Sequence, residues 1–166
     1  MSSHVSAENS AIEARLAELG LSLPEVAAPV AAYVPAMVSG SHVYTAGQLP
    51  FIEGKLPATG KVSAEGSEGT VSAERAKELA ATSIINALAA VKSVIGNLDR
   101  VTRIVKVVGF VASTPDFTGQ PAVINGASEL LGEIFGEKGQ HARSAVGVAV
   151  LPLDAPVEVE LIAEFA

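Results

Sequence analysis

Residues 101–112, VTRIVKVVGFVA, restrict what this chain can become more than any other stretch. A run this rich in Val and Ile, closed by Thr114-Pro115-Asp116, predicts a long strand. Over its second half apolar residues occupy odd and even positions alike, so both faces of the strand need cover. A strand expected at 144–151 has the same character. The one expected at 157–165 alternates instead, with Val157, Val159, Leu161, Ala163 and Phe165 on one face and Glu158, Glu160, Ile162 and Glu164 on the other. Two shorter strands are expected at 31–38 and 42–45, around a Ser39-Gly40-Ser41 turn.

Helical periodicity fills the intervals. Ser72 is suited to cap a helix that carries Glu74 in its first turn and Ala76, Leu79, Ala80, Ile84, Ala87, Leu88, Val91 and Ile95 along one stripe, ending at Gly96-Asn97. A second helix is expected over 121–135, with Pro121 at its start and Val123, Leu130, Leu131, Ile134 and Phe135 for packing. A short amphipathic helix over 7–19, carrying Ile12, Leu16 and Leu19, is stopped by Gly20 and followed by a connector over 21–29. Residues 50–70 hold four glycines and two prolines, which predicts a long surface loop of the kind that often borders a site. The element order implies an α+β fold, a single compact domain whose two main helices cover one face of the sheet. The other face is left bare, and a second copy of the chain is the economical cover.

Composition agrees with that need. Of the 166 residues 49% are hydrophobic but only 4% aromatic, and the mean hydropathy of +0.40 is high for a soluble domain. The most apolar run, 80–95, is broken by Thr82, Ser83, Asn86, Lys92 and Ser93 and falls short of a membrane span, so buried subunit contacts are the better account. There is no cysteine, hence no disulfide, thiolate nucleophile or Cys-ligated metal. The N-terminus lacks a basic segment followed by an apolar one, and a cytoplasmic protein is expected. A net charge of −7 with scattered basic residues argues against a general nucleic-acid binder.

No phosphate-binding glycine motif or zinc-protease motif is present, and His4, His42 and His141 share no ligand spacing, so neither metal nor cofactor is expected. Two polar residues on strands draw attention. Arg143 heads an apolar run, and its planar fork suits a carboxylate. Position alone makes it a surface arginine at a strand end. Glu158, likewise, is by position one of a row of solvated carboxylates.

Residues 142–162, ARSAVGVAVLPLDAPVEVELI, resemble the C-terminal signature of the YjgF/Rid (endoribonuclease L-PSP-like) family. TAGQLP (45–50), LDRVTRIVKVVGFVAS (98–113) and DFTGQPAVIN (116–125) extend the resemblance in the same order. It covers about residues 30–165, which makes 30–166 the family domain and 1–29 a helical extension of the kind found in a longer subgroup.

The resemblance implies a chorismate-mutase-like α+β fold assembled as a homotrimer, with sheets inward, helices outward and ligand clefts between subunits. It also implies hydrolysis of reactive 2-imino acids to 2-oxo acids and ammonia without metal or organic cofactor. The alternatives are non-catalytic binding of a small carboxylate and, third, endoribonuclease activity. Carried over residue by residue, the carboxylate-gripping arginine is Arg143 and the water-positioning glutamate is Glu158. Tyr33, Gly47, Asn125 and Ala145 would line the substrate. This chain has Ala145 where active members often carry Cys, Ala46 where Ser is common, and His141 in place of a usual Pro. If the last two strands formed a tight hairpin, Arg143 would pair near Phe165, roughly 20 Å from Glu158 at about 3.3 Å per residue. Either these strands are not direct partners or the two groups come from different subunits, and the second is expected.

Overall fold

The protein is described by a computed structural model covering residues 10–26 and 32–166. His4, the first turn expected for the N-terminal helix at 7–9, and part of the connector at 27–29 lie outside the described residues. The first helix, α1 (Ala11–Glu18), is capped twice. Ser10 Oγ accepts from the Glu13 amide at 3.1 Å, and the distant Asp99 carboxylate takes the amides of Ala11 and Ile12 and the Ser10 hydroxyl, each at 2.9 Å. Leu16 is buried beneath it, and Gly20, at φ 75°, turns the chain away.

Strands β1 (Ala36–Ser39) and β2 (His42–Thr45) form a hairpin across Gly40 and Ser41. The first begins five residues later than its sequence pattern suggests, after Pro35, which has no amide proton to donate to a ladder. The glycine-rich stretch is more tightly held than a free surface loop. Its β3 (Val62–Ser63) pairs with β4 (Val71–Ser72), Val62 is fully buried, and Asn86 of the next helix donates to the carbonyls of Leu49 and Phe51 at 3.1 Å.

Helix α2 (Ala73–Ile95) begins at Ser72, whose Oγ accepts from the Arg75 amide, and ends at Gly96 with φ 85°. At 23 residues it is long and apolar enough to cross a membrane by length and composition alone, despite the polar residues that interrupt it. Burial explains its hydrophobicity instead: 61% of its most apolar window is buried. Fully buried Ala76, Ala80, Ala87 and Ala90 let it approach its neighbours closely.

After the long β5 (Val101–Ala112), helix α3 (Gln120–Phe135) returns over the sheet. It presses on β5 at Gly109, where a side chain would overlap Ile124, and on α2 at Gly126, where one would meet the Lys77 carbonyl. Strands β6 (Ala142–Val148) and β7 (Val157–Phe165) complete a sheet of order β1-β2-β7-β5-β6, antiparallel except between β5 and β6. This is a mixed α+β fold with a mixed sheet and, among the described residues, three α-helices.

One face of the sheet, carrying Val43, Ile104, Val107, Val111, Val157, Val159, Leu161 and Ala163, is buried under α2 and α3. The other presents Met37, Tyr44, Val108, Phe110, Val146 and Ile162 by strand alternation, and no helix among the described residues covers it. Strand β6 starts and ends earlier than the apolar pattern of 144–151 suggests. Its pairing with β5 begins at Ala142 opposite Lys106, and the chain leaves after Val148, so that Val150 stands 65% exposed.

Candidate active site

Arg143 lies one residue into β6, on the sheet's edge, in register with the buried Val107 of β5. Alternation therefore turns its side chain to the helix side, toward α3. There the guanidinium meets residues spaced along one helical face. Nη1 donates to Asn125 Oδ1 at 2.7 Å and Ser128 Oγ at 3.2 Å, and Nη2 donates to the Pro121 carbonyl at 3.4 Å. A guanidinium has five N–H donors, and these contacts use three. The ion pairs among the described residues all lie elsewhere, so no carboxylate neutralises Arg143. The result is a cation fixed from one side with two donors unused by the described residues.

Beside it lies an open depression of about 510 Å³, lined by Ser128, Gly132, Gly139, Gln140, His141 and Arg143. Burial first, then the adjacent Arg143 charge, depress the His141 pKa against a hydrogen-bonding contact with the Ala142 carbonyl. Ala145, two residues after Arg143 on the same face, is half-buried beside Gly109 and packs against the core.

Glu158 belongs to a second cluster. It sits on β7 opposite Phe110, on the bare face of the sheet, and makes no side-chain hydrogen bond or ion pair with the described residues. Burial, followed by repulsion from Glu160, raises its pKa, which moves the carboxylate toward the range useful for a general base. Gly47 lies directly against it: a Cβ at Gly47 would overlap the Glu158 carboxyl group. The pairing of Gln48 with Val159, through N–O distances of 2.8 and 3.0 Å, holds that glycine in place. Tyr33 is 54% exposed just ahead of β1, and the Pro35 carbonyl accepts from the Ala46 amide at 2.8 Å. Its segment thus runs toward the Gly47 end of the sheet.

The six residues singled out in the sequence therefore divide. Arg143, Asn125 and Ala145 gather on the helix side at the β6 edge; Glu158 and Gly47 meet on the bare face, with Tyr33 toward their end. Strand β5 separates β6 from β7, so the hairpin arrangement does not occur. Two strand spacings and three residues along β5 put the Arg143 and Glu158 backbones about 14 Å apart, and their side chains leave opposite faces. Sequence reasoning missed Ser128. Its signal was an Asn and a Ser three residues apart in an otherwise apolar helix, the spacing that places both on one face. No group of three His, Cys, Asp or Glu side chains that could hold a metal occurs among the described residues.

A two-layer α+β domain with a helix-braced arginine on its edge strand defines the class: a chorismate-mutase-like fold with an anion-receptive edge. The chain belongs to the family described as "YjgF/chorismate mutase-like, putative endoribonuclease", which matches residues 13–165 and so reaches back into α1. Three solved structures resemble it over most of their length. Protein Atu1372 from Agrobacterium tumefaciens is 46% identical with a TM-score of 0.83, covering 93% of this chain and 92% of its own. A protein from Shewanella oneidensis MR-1, described as "a putative endoribonuclease", is 35% identical with a TM-score of 0.86, at 95% and 100% coverage. TdcF from E. coli, crystallised with bound serine, is 25% identical with a TM-score of 0.57, at 87% and 94% coverage.

Proposed function

We propose that the protein hydrolyses 2-imino acids to 2-oxo acids and ammonia, in clefts between the subunits of a homotrimer. The observation that carries this reading is the state of Arg143: braced by Asn125, Ser128 and the Pro121 carbonyl, with two donors free and no carboxylate partner among the described residues. Such a group is built to receive a planar carboxylate through two parallel hydrogen bonds. A 2-imino acid brings that carboxylate next to a C=N carbon that is already electrophilic when protonated. The bound amino acid in TdcF supports a ligand of this kind. The typical homo-oligomeric assembly of the family supports a cleft that takes Arg143 from one chain and Glu158 from another.

In this reaction Glu158 removes a proton from water as the oxygen attacks the imine carbon, giving a carbinolamine. The same carboxyl returns the proton to nitrogen; the C–N bond then breaks, ammonia leaves with the bonding pair, and the hydroxyl proton passes back to the Glu158 carboxylate as the C=O bond forms. Holding water and substrate together supplies most of what so reactive an electrophile requires. The raised pKa of Glu158 suits both directions of transfer.

The test is release of 2-oxo acid from an imine generated in place from an amino acid. Acceleration by wild type, lost in Arg143→Ala and in Glu158→Gln, is the expected result. No acceleration across several amino-acid-derived imines would overturn it. A second reading, carboxylate binding without turnover, is favoured by the fact that the Arg143 side of the site is complete within one chain. It predicts thermal stabilisation by 2-oxo acids that depends on Arg143 but not on Glu158.

A further inference from the structure

Imine hydrolysis leaves unused a second ionisable side chain in the depression beside Arg143. His141 precedes Arg143 by two residues, which spaces their backbones about 7 Å apart in extended chain. Both line the depression, and no carboxylate among the described residues borders it, although the chain carries 18 acidic residues against 11 basic ones. Gly132 and Gly139 add no side chains to its walls, and the amide of Gln140 and the hydroxyl of Ser128 add neutral donors. Apart from His141, whose ring must first gain a proton, every polar side chain on this wall can donate to an anion.

The orientation of the imidazole makes the site more specific. Its Nδ1 lies 3.1 Å from the Ala142 carbonyl oxygen, which can only accept. The Nδ1 proton is thereby committed, and Nε2 is bare in the neutral ring. A proton taken up by the ring arrives at Nε2 and turns an acceptor into a charged donor.

We propose that His141 and Arg143 form a two-anion subsite that selects five-carbon 2-imino or 2-oxo dicarboxylic acids over monocarboxylic ones, with a proton taken up at His141 on binding. This rests on Arg143 being the carboxylate clamp described above. Four C–C bonds of about 1.5 Å in a zigzag separate the two carboxyl carbons of such an acid by roughly 5 Å. With a hydrogen bond of about 3 Å at each end, that length suits two side chains on one wall whose backbones are about 7 Å apart. Binding shifts the proton equilibrium because the second carboxylate supplies the counter-charge that Arg143 denies to the free imidazole. Among the other charged groups nearby, Lys106 of β5 faces the opposite side of the sheet. Glu129 and Glu133 of α3, and Glu137 and Lys138 in the turn before β6, are exposed and do not line the depression.

The experiment is calorimetric titration of the full chain with 2-oxoglutarate and with 2-oxobutyrate, at about pH 6 and about pH 8. We expect 2-oxoglutarate to bind at least about tenfold tighter at the lower pH, with net proton uptake and an advantage that shrinks at the higher pH. His141→Ala should collapse the preference between the acids, and Arg143→Ala should abolish binding of both. Equal, Arg143-dependent binding of the two acids by wild type overturns the subsite and leaves the clamp standing. Binding that ignores Arg143→Ala, or no binding of either acid, overturns both. A preference that survives His141→Ala overturns the subsite. Should that variant fail to fold, a wild-type preference that does not grow as pH falls overturns it equally.

Discussion

Arg143 and Glu158 leave opposite faces of one sheet with strand β5 between them, so a single chain cannot bring both to one small molecule. If both groups act on one substrate, each cleft must take one residue from each of two chains. Mixing inactive Arg143→Ala and Glu158→Gln proteins, with denaturation and joint refolding, should then restore activity. In a randomly assembled cyclic oligomer about one cleft in four receives both intact residues, so recovery should approach roughly a quarter of wild type. Steady-state rates of the mixture check this; no recovery refutes the shared cleft.

Asn125→Ala should weaken substrate binding more than turnover. It removes the 2.7 Å acceptor that orients the guanidinium, a charge-assisted bond of about 1.5–3 kcal/mol. KM for the imine should rise about tenfold or more, with a smaller change in kcat. A fall in kcat at constant KM would place Asn125 in the chemical step instead.

Gly47→Ala should inactivate without unfolding. The glycine has no positive φ to protect, so backbone strain is not at stake. Its missing side chain is instead the space filled by the Glu158 carboxyl. The added methyl should displace that carboxyl and lower kcat while the melting temperature of the variant stays close to wild type. Activity retained at wild-type level would show that Glu158 can act from another position.

Glu158→Gln should stabilise the isolated fold at neutral pH and not in acid. A carboxyl with a raised folded pKa binds more protons folded than unfolded, so stability falls as pH rises from the unfolded pKa through the folded one. The neutral amide removes that loss. Chemical denaturation from about pH 3 to pH 8 should show wild type and variant diverging as pH rises, and parallel curves would contradict the assigned shift. A site residue that costs stability when charged is what a working carboxylate on an uncovered apolar face entails.

Asp99→Ala should release α1. Partial burial pulls the Asp99 pKa upward, but hydrogen bonds from Ile12, Ala11 and Ser10 together outweigh it and hold the pKa below the ordinary value. The docking they provide is present above the unfolded carboxylate pKa and is lost as pH falls through the folded one. Removing the cap should cost about 1 kcal/mol. Amide exchange should speed up in residues 11–18 while β5 and β7 stay protected.

Much of this architecture was legible because core burial writes a period into the chain. The ends of β5 and β7 and the Ser72 and Gly96 caps of α2 fall where alternation, helical spacing and cap chemistry put them. The β6 boundaries did not, since apolar residues 149–151 look like strand but stand outside the ladder. Strand order was not legible either. Nothing in local periodicity says that β7 inserts between β2 and β5 or that β6 runs parallel to β5, because those choices are made by pairings between residues far apart in the chain. At the site, Arg143 and Glu158 were marked only through the family pattern. Their surroundings were not: Ser128, the His141 wall and the separation by β5 exist only once helix and sheet are assembled.

The double cap on α1 also has a kinetic meaning. The Ala11 amide and the Asp99 carboxylate close a contact across 88 residues of chain. Synthesised at roughly 5–20 residues per second, the chain presents its first helix several seconds before the acceptor that secures it has been made. An eight-residue helix is too short to persist alone in water. Helix α1 is therefore fastened only well after its own synthesis, and its docking reports that the turn between α2 and β5 has already formed.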